Sequence, residues 1–333
     1  MSTVLVTDYT WDSLEIERRE LARVGASLVV APDAEEATLE ELVIEADAIL
    51  TCFGRVTPAV LRAGRRLRVV GRYGIGTDNI AVETATEMGI PVTNVPDYCV
   101  DEVAEHTMAL AFGLARSVTT FDRNIREGRW DLGRGRPIRR MRGQTLGLLG
   151  LGSIGRAVAE RAVALGLHVI AHVRSGVPAD LEALGVENVS MRELAARSDI
   201  LSLHVPLTDA TRHIVDRSML GAMKETAFLI NTARGGVIDQ EALVEALDGG
   251  IIAGAGLDVF TPEHLDPGHP LFAHPRVIAT PHVAFYSEES VAELASRAAA
   301  NVATVLSGWR AHDTVNPSVY DGTRWTRRTE PTR

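Results

Sequence analysis

Three glycines, Gly150, Gly152 and Gly155, stand between an apolar run and a stretch with the apolar spacing of a helix. Their G-x-G-x-x-G spacing suits a pyrophosphate, because the first glycine permits a tight turn and the second lets the backbone approach the phosphates. The third lets helix and strand pack closely, and the helix start presents free N–H groups to the anion. A glycine triplet alone is a weak signal. The order strand, turn, helix and strand over residues 145–174 makes it a prediction of dinucleotide binding.

The end of the second strand in this unit bears on which dinucleotide fits. NAD-specific sites place a carboxylate about twenty residues after the glycines, where it accepts hydrogen bonds from the ribose 2′-hydroxyl. That position is Val173 here, and Arg174 and Ser175 follow it with a cation and a hydroxyl donor. Because arginine binds phosphate well, we expect NADP(H) to be favoured over NAD(H). The alternative is that Arg174 points to solvent and either nucleotide is accepted.

Strands and helices alternate along most of the chain. The apolar pattern predicts strands at 4–6, 27–30, 48–51, 67–72 and 92–95, with helices at 15–24, 38–46 (capped by Thr38), 58–63 and 80–88. A longer helix at 101–117 precedes residues 118–143, which carry little apolar periodicity. A second series has strands at 145–149, 168–173, 200–204, 227–231, 252–257 and 277–279, and a last helix at 288–306. This rhythm predicts two α/β domains with parallel sheets, and periodicity leaves open which domain holds the last helix.

The bulk properties exclude several classes of protein. The chain has 333 residues, enough for two domains, and a net charge of −10, which argues against nucleic-acid binding. Two cysteines, no signal peptide and no long apolar run predict a cytoplasmic protein without a membrane segment. The only lysine, Lys224, follows no glycine, so a P-loop is excluded, and we interpret it as solvated surface. No G-x-S-x-G segment supports a hydrolase.

Two clusters of polar residues have competing interpretations. The histidines His264, His269, His274 and His282 could suggest a metal, but their irregular proline-rich loop lacks ligand spacing, so we expect no metal site. A basic stretch surrounds Trp130 and consists of Arg129, Arg134, Arg136, Arg139, Arg140 and Arg142. In an acidic protein this stretch is better explained by a solvated or dimer-facing arm than by nucleic-acid binding.

Seven ordered segments resemble the D-isomer-specific 2-hydroxyacid dehydrogenase family. They are Gly150-Leu-Gly152-Ser-Ile-Gly155, His204-Val-Pro-Leu-Thr208, Asn231-Thr-Ala-Arg234-Gly-Gly-Val-Ile-Asp239, Thr280-Pro-His282-Val-Ala-Phe, Gly256-Leu-Asp258-Val-Phe with Glu263, Gly74-Ile-Gly76-Thr-Asp-Asn79 and Val103-Ala-Glu105-His-Thr107. The resemblance covers roughly residues 45–317 and is nearest to the branch of D-3-phosphoglycerate dehydrogenases, glyoxylate/hydroxypyruvate reductases and C-terminal binding proteins.

The resemblance implies a domain plan in which the chain crosses between domains twice. A flavodoxin-like substrate domain would comprise residues 1–98 plus 287–318, a Rossmann dinucleotide-binding domain residues 99–286, and a polar tail residues 319–333. Both domains would be doubly wound parallel sheets. Family members usually dimerise through the cofactor domain, so we expect a homodimer with 118–143 in the contact.

Three side chains suit the reduction of a 2-keto acid. The planar guanidinium of Arg234 can hold a carboxylate bidentately. His282 offers an imidazole, a side-chain type that can give or take a proton near neutral pH, and Glu263 would stabilise its charged form. The segment around Glu263 is slightly shifted against the family pattern, so Asp266 remains a rival. Pro281, where formate dehydrogenases carry Gln, favours keto-acid chemistry.

Further contacts follow from the same resemblance. The backbone N–H groups of Gly74, Ile75 and Gly76, with Arg234 and His282, would bind substrate. Phe53, Arg55 and Tyr98 are looser candidates for the pocket lining. The implied cofactor contacts are Gly150, Gly152, Ser153, Ile154, Gly155, Arg174, Ser175, Val205, Pro206, Thr211, Thr232, Ala233, Arg234, Asp258 and His282.

Two functions therefore compete. The first is an oxidoreductase that transfers a hydride between a nicotinamide cofactor and a small 2-keto or 2-hydroxy acid. The second is a nucleotide-sensing interaction protein of the C-terminal binding protein type, because fold alone does not separate an enzyme from a sensor. The intact set of Arg234, Glu263 and His282 favours the enzyme.

Overall fold

The computed structural model describes residues 2–135 and 137–321. The chain divides into two compact units, one formed by the chain up to Tyr98 and from Ser287 onward, the other by Cys99–Tyr286. Each unit is built on a parallel β-sheet with helices. The predicted fold class, two α/β domains with parallel sheets, is confirmed.

The elements are numbered in chain order. The strands are Ser2–Val6 (β1), Ala26–Val30 (β2), Ala48–Thr51 (β3), Val69–Arg72 (β4), Val92–Thr93 (β5), Thr145–Leu149 (β6), His168–His172 (β7), Glu187–Asn188 (β8), Ile200–Leu203 (β9), Phe228–Asn231 (β10), Gly254–Leu257 (β11) and Val277–Ala279 (β12). The α-helices are Glu15–Ala22 (α1), Glu36–Val43 (α2), Pro58–Ala63 (α3), Val82–Glu87 (α4), Val100–Ala115 (α5), Val118–Arg126 (α6), Ser153–Ala164 (α7), Ala179–Ala183 (α8), Met191–Arg197 (α9), Arg217–Ala222 (α10), Gln240–Asp248 (α11), Pro270–Ala273 (α12) and Glu288–Leu306 (α13). Short 3₁₀ helices lie at Gly133–Gly135, Gly235–Val237 and Pro317–Asp321.

The sheet of the first unit has the strand order β2-β1-β3-β4-β5, with all pairs parallel. The side chains of Leu5, Ile49 and Val70, one from each of the three adjacent strands, are buried in one apolar cluster. Gly71 on β4 allows α13 to approach, because a Cβ there would stand 2.7 Å from Val302. The strand order changes direction between β1 and β3, so the loops after these strands flank the crevice where doubly wound sheets bind ligands.

The sheet of the second unit has the order β12-β11-β10-β9-β6-β7-β8, again with parallel pairs. Leu148 packs in a cluster with residues of α5 and α7, and its neighbour Leu149 packs in a cluster with residues of α9, α10 and α11. Successive residues of a strand point to opposite faces, so helices cover both faces of this sheet. The strand order changes direction between β6 and β9.

The structure corrects three expectations. Helix α2 begins at Glu36 with Glu35 as its cap residue, so Thr38 lies inside the helix and is not its cap. Residues 118–126 form α6, because Val118, Phe121 and Ile125 recur at helical spacing among the charged residues that obscured it. The chain stays structured up to Asp321, because Val319 and Tyr320 are buried. The predicted polar tail therefore begins no earlier than residue 322, and residues 322–333 lie outside the described residues.

Within residues 2–135 and 137–321, no helix is long and apolar enough to cross a membrane. The same residues contain no group of three or more His, Cys, Asp and Glu side chains that could hold a metal ion.

Candidate active site

The closest pairing of titratable side chains near the predicted chemistry joins a loop after β11 to a loop after β12. Nδ1 of His282 lies 2.5 Å from Oε1 of Glu263, and both side chains are partly exposed. The rival carboxylate, Asp266, instead accepts a hydrogen bond from the backbone N–H of Gly268 at 2.7 Å. Of the two acidic residues that the sequence left open, Glu263 is the one in contact with the histidine.

The turn that carries His282 has an uncommon backbone conformation. His282 has φ +53°, in the left-handed region that few residues other than glycine adopt. Asp258 is fully buried and stabilises this turn through hydrogen bonds. Its carbonyl oxygen accepts the N–H of His282 at 2.7 Å. Its carboxylate accepts the N–H groups of Val283 at 2.9 Å and Ala284 at 3.0 Å. These bonds fix the direction of the imidazole.

Arg234 stands in the loop after β10. The buried side chain of Asn231 shapes this loop, because it donates to the carbonyl of Arg234 at 2.9 Å and accepts from the N–H of Ala233 at 3.0 Å. The guanidinium is partly buried and donates through Nη1 to the carbonyl of Ala233 at 2.8 Å. Gly235 must be a glycine, since a Cβ there would lie 2.1 Å from the backbone of Phe260. The loops after β10, β11 and β12 leave adjacent parallel strands at one edge of the sheet.

The glycine turn between β6 and α7 has the geometry of a dinucleotide cradle. Gly150 has φ +98°, and a Cβ there would lie 2.6 Å from the carbonyl oxygen of His204. A Cβ on Gly155 would lie 2.4 Å from the carbonyl oxygen of Gly150, so only glycine lets α7 start this close to the strand. A Cβ on Gly152 would meet no protein atom within 4 Å, which leaves open space at the helix start. Ser153 and Ile154 begin α7, where N–H groups have no partner within the helix. These residues fit a dinucleotide pyrophosphate.

The segment after β7 holds the residues that bear on nucleotide choice. Arg174 and Ser175 are exposed, and no acceptor among the described residues bonds the Arg174 guanidinium. The side chain of Asn188 holds the residue before them, accepting the N–H of Val173 at 3.3 Å and donating to its carbonyl at 3.5 Å. No carboxylate occupies position 173.

The loop after β9 carries two further predicted cofactor residues, Val205 and Pro206. Oγ1 of Thr211 donates to the carbonyl of Pro206 at 2.5 Å, and thus tightens this loop. Burial lowers the pKa of the preceding His204 to about 4, so its imidazole is neutral at physiological pH. Nε2 of His204 lies 2.9 Å from Oγ of Ser202.

The proposed substrate loop Gly74–Gly76 follows β4 in the first unit. The carbonyls of Gly74 and Ile75 accept bonds from the N–H of Val95 at 3.0 Å and from Nδ2 of Asn94 at 2.8 Å. The N–H groups of Ile75 and Gly76 bond no acceptor in the described parts of the chain. They are therefore available to an anion.

The looser candidates of this unit lie in two places. Phe53 is partly buried and Arg55 exposed in the loop after β3, where the carboxylate of Asp8 accepts three backbone N–H groups, those of Cys52, Phe53 and Gly54. Tyr98 is buried.

Sequence reasoning assigned no role to two consecutive residues of α5. Nε2 of His106 lies 3.0 Å from Oγ1 of Thr280, two residues before His282. Oγ1 of Thr107 lies 2.9 Å from Oγ1 of Thr232, which is buried in the loop of Arg234. Helix α5 thus braces both loops that carry the proposed catalytic side chains. The His-Thr pair was visible in a matching segment, but only the fold shows what it touches.

Other polar residues have structural roles. His269 and His274 each accept a backbone N–H through Nδ1, at 3.3 Å and 3.2 Å. Lys224 is partly exposed, and its Nζ donates to Asp199 at 2.8 Å. In the basic stretch Arg129 pairs with Glu127 and Arg134 with Asp131, while Arg136 lies outside the described residues.

The chain is similar to a known protein family and to several individual proteins. The family model described as "D-isomer specific 2-hydroxyacid dehydrogenase, NAD binding domain" matches residues 108–284. A glyoxylate reductase of Aeropyrum pernix is 43% identical over 282 residues, which cover 83% of this chain and 84% of that protein. A hydroxypyruvate reductase of Thermotoga maritima is 38% identical, over 84% of this chain and 91% of that protein. The crystal structure of a D-lactate dehydrogenase from Aquifex aeolicus, complexed with NAD and lactic acid, superposes with a TM-score of 0.85 at 26% identity, covering 96% of this chain and 98% of that one.

Proposed function

We propose, from the premise that this chain belongs to the D-isomer-specific 2-hydroxyacid dehydrogenase family, that it is a 2-keto acid reductase with a preference for NADPH. As a member of that family it is an oxidoreductase that transfers a hydride between a nicotinamide cofactor and a small 2-keto or 2-hydroxy acid. The observation that carries the proposed role of His282 in proton transfer is its contact with Glu263.

The proposed chemistry divides three tasks among three side chains. A reduced nicotinamide held by the second unit would supply the hydride for the keto carbon. Arg234 holds the substrate carboxylate through paired N–H donors. His282 donates the proton that the developing alkoxide takes up, which completes the hydroxy acid. Because Nδ1 of His282 faces the carboxylate of Glu263, the proton that leaves is the one on Nε2. In the first unit, the backbone N–H groups of Gly74, Ile75 and Gly76 are proposed to bind an anionic group of the substrate.

The residues proposed to hold the cofactor lie along the carboxyl edge of the second sheet. Gly150, Gly152 and the N–H groups at the start of α7 would receive the pyrophosphate. The other proposed contacts come from the loops after β7, β9, β10, β11 and β12, namely Arg174, Ser175, Val205, Pro206, Thr211, Thr232, Ala233, Arg234, Asp258 and His282.

The preference for NADPH rests on the residues after β7. An NAD-specific site would place a carboxylate at Val173, where it would repel a 2′-phosphate. Arg174, exposed and without an internal acceptor among the described residues, is free to pair with that phosphate, and Ser175 adds a hydroxyl. Asn188 fixes the backbone at Val173 and so limits where Arg174 can reach.

We further propose that the enzyme is a homodimer that uses the arm, defined as residues 118–143. Four large apolar side chains of this segment are exposed, Val118, Ile125, Leu132 and Trp130, the last at 90%. Exposed apolar side chains of this size are typical of a surface covered by a partner. Light scattering at micromolar concentration would give twice the chain mass. Cys52 and Cys99 are buried and are not joined in a disulfide, which supports our proposal that the enzyme works in the reducing cytoplasm.

The decisive experiment is a keto-acid panel measured with both reduced nucleotides. Glyoxylate and hydroxypyruvate are the first substrates to test, and we expect steady oxidation of NADPH with higher kcat/KM than of NADH. Arg174→Ala should weaken the binding of NADPH by about 10- to 100-fold and that of NADH only slightly. Only NADPH loses a charged hydrogen bond in this variant. Equal efficiency of both nucleotides in the wild type would refute the preference. Tight nucleotide binding without turnover of any acid would favour the nucleotide-sensing alternative.

A further inference from the structure

The hydroxyl of Thr280 links an imidazole on α5 to the buried carboxylate beneath the turn of His282. Oγ1 of Thr280 lies 3.0 Å from Nε2 of His106 and 2.5 Å from Oδ1 of Asp258. Nε2 of His106 is itself 3.7 Å from that carboxylate oxygen. The imidazole is mostly buried and the carboxylate wholly so.

The number of hydrogens available determines which atom donates in each of these contacts. A carboxylate only accepts, so at 2.5 Å the single hydroxyl hydrogen of Thr280 must point at Asp258. The oxygen of Thr280 then has only lone pairs left for His106. Two lone pairs facing each other at 3.0 Å would repel, so Nε2 of His106 must carry a hydrogen.

The orientation of the Thr280 hydroxyl affects the turn of His282, because both bond to Asp258. Three donors converge on this carboxylate: the hydroxyl of Thr280 and the N–H groups of Val283 and Ala284. If the hydroxyl rotated away, one strong bond would be lost on the side of the carboxylate that faces the turn. The left-handed conformation at His282 depends on bonds from its surroundings, so a rotated carboxylate shifts the imidazole.

We propose that His106 is a positioning residue for the proton donor: its Nε2–H orients the hydroxyl of Thr280, which in turn locks Asp258 and the turn of His282. This inference rests on the proposed role of His282 in the reaction. The proposed chemistry gives His106 no contact with the substrate or the reacting atoms. Its effect is on where the imidazole of His282 stands, and therefore on kcat.

The first test reads the tautomer directly and needs no activity. Nitrogen-15 labelling of the histidines and a long-range proton–nitrogen spectrum of the full chain, assigned with a His106→Gln sample, would report which ring nitrogen of His106 bears hydrogen. We expect hydrogen on Nε2. A ring with hydrogen on Nδ1 alone would overturn the proposal whatever the enzyme turns out to reduce.

The second test compares variants kinetically. His106→Met removes the donor, and a misplaced catalytic group costs roughly 10- to 100-fold in kcat. His106→Gln, which can offer an N–H at a similar reach, should recover most of kcat. Thr280→Val should have the same kcat as His106→Met. The double variant should have a kcat no lower than either single variant, because the two substitutions break the same chain of hydrogen bonds. Thr280→Ser should be near wild type.

Glu105→Gln is the matched control, because Glu105 is the neighbouring residue of the same helix and its side chain is 71% exposed. It should leave kcat and the melting temperature unchanged. Additive losses in the double variant, or a Gln variant as slow as the Met variant with an equally lowered melting temperature, would mean that His106 only stabilises the fold. A wild type inactive on every keto acid would refute the proposed function, and the tautomer measurement would still decide this inference.

Discussion

Nδ1 of His282 and Oε1 of Glu263 are 2.5 Å apart, although the two residues are separated by 19 positions and belong to loops after different strands. The pairing leaves Nε2 as the nitrogen that exchanges a proton with substrate. A carboxylate on Nδ1 also fixes the ring orientation, which is the role of an orienting group beside a catalytic base. Two predictions about the chemistry follow from this geometry and from that of Arg234.

Replacing His282 by alanine removes the proposed proton donor. We expect turnover of the keto acid to fall by roughly 10²-fold or more, the range for general acid–base groups. The Kd for NADPH, measured by fluorescence titration, should change much less. A variant that folds and turns over at the wild-type rate would exclude His282 from the proton transfer.

Arg234→Lys keeps the positive charge but loses the planar pair of donors. We expect kcat/KM to drop by about 10- to 100-fold, since charge-assisted hydrogen bonds to the substrate carboxylate are lost. The matched comparison uses the amide analogue of the same keto acid with the wild type, which should be a poor substrate. If acid and amide react equally fast, Arg234 does not hold a carboxylate.

The spacing of residues along the chain predicted the bounds of helices whose own residues determine where they begin and end. Helix α13 spans Glu288–Leu306 as predicted, because Ser287 caps its start and apolar residues recur along one face. Helix α3 spans Pro58–Ala63 as predicted, with the hydroxyl of Thr57 accepting from Val60 and Gly64 at its end. Both helices carry their boundaries in their own sequence.

The spacing of residues did not predict the role of a side chain whose partner lies far away in the sequence. The ion pair of Lys224 could not be predicted, because its partner Asp199 lies 25 positions away. His106 lies 174 positions from Thr280, so no local pattern could assign it a role. The choice between Glu263 and Asp266 likewise needed the path of the loop. Residue types therefore predicted the chemistry of the site, and the fold supplied the residues that orient it.

The glycine turn gives a prediction that separates binding from stability. Gly152→Ala places a methyl group in open space at an extended backbone position, so the melting temperature should not change. The same methyl group stands where the pyrophosphate would approach, so we expect the affinity for NADPH to fall by about tenfold or more, which is about 1.4 kcal/mol.

Two further glycines serve as controls for that experiment. Gly221→Ala in α10 also meets no atom within 4 Å and should leave both melting temperature and affinity unchanged. Gly155→Ala should instead destabilise the fold by roughly 1–3 kcal/mol, because its Cβ would stand 2.4 Å from the carbonyl of Gly150. If Gly152→Ala bound NADPH as tightly as Gly221→Ala, the nucleotide would not pass over this glycine.

The last prediction concerns acid stability and His204. Burial lowers the pKa of this imidazole from 6.5 to about 4, so between these values the unfolded chain binds a proton that the folded chain does not. The free energy of unfolding should therefore fall as pH decreases from about 6.5 to about 4, by about 3 kcal/mol from this residue at 1.36 kcal/mol per pKa unit. His204→Gln keeps a polar group near Ser202 but cannot titrate. Urea unfolding at several pH values measures the difference in the free energy of unfolding between wild type and variant. This difference should be constant above about pH 7.5 and shift in favour of the variant in acid. Parallel curves down to pH 4 would show that His204 is protonated as easily in the folded protein as in the unfolded chain.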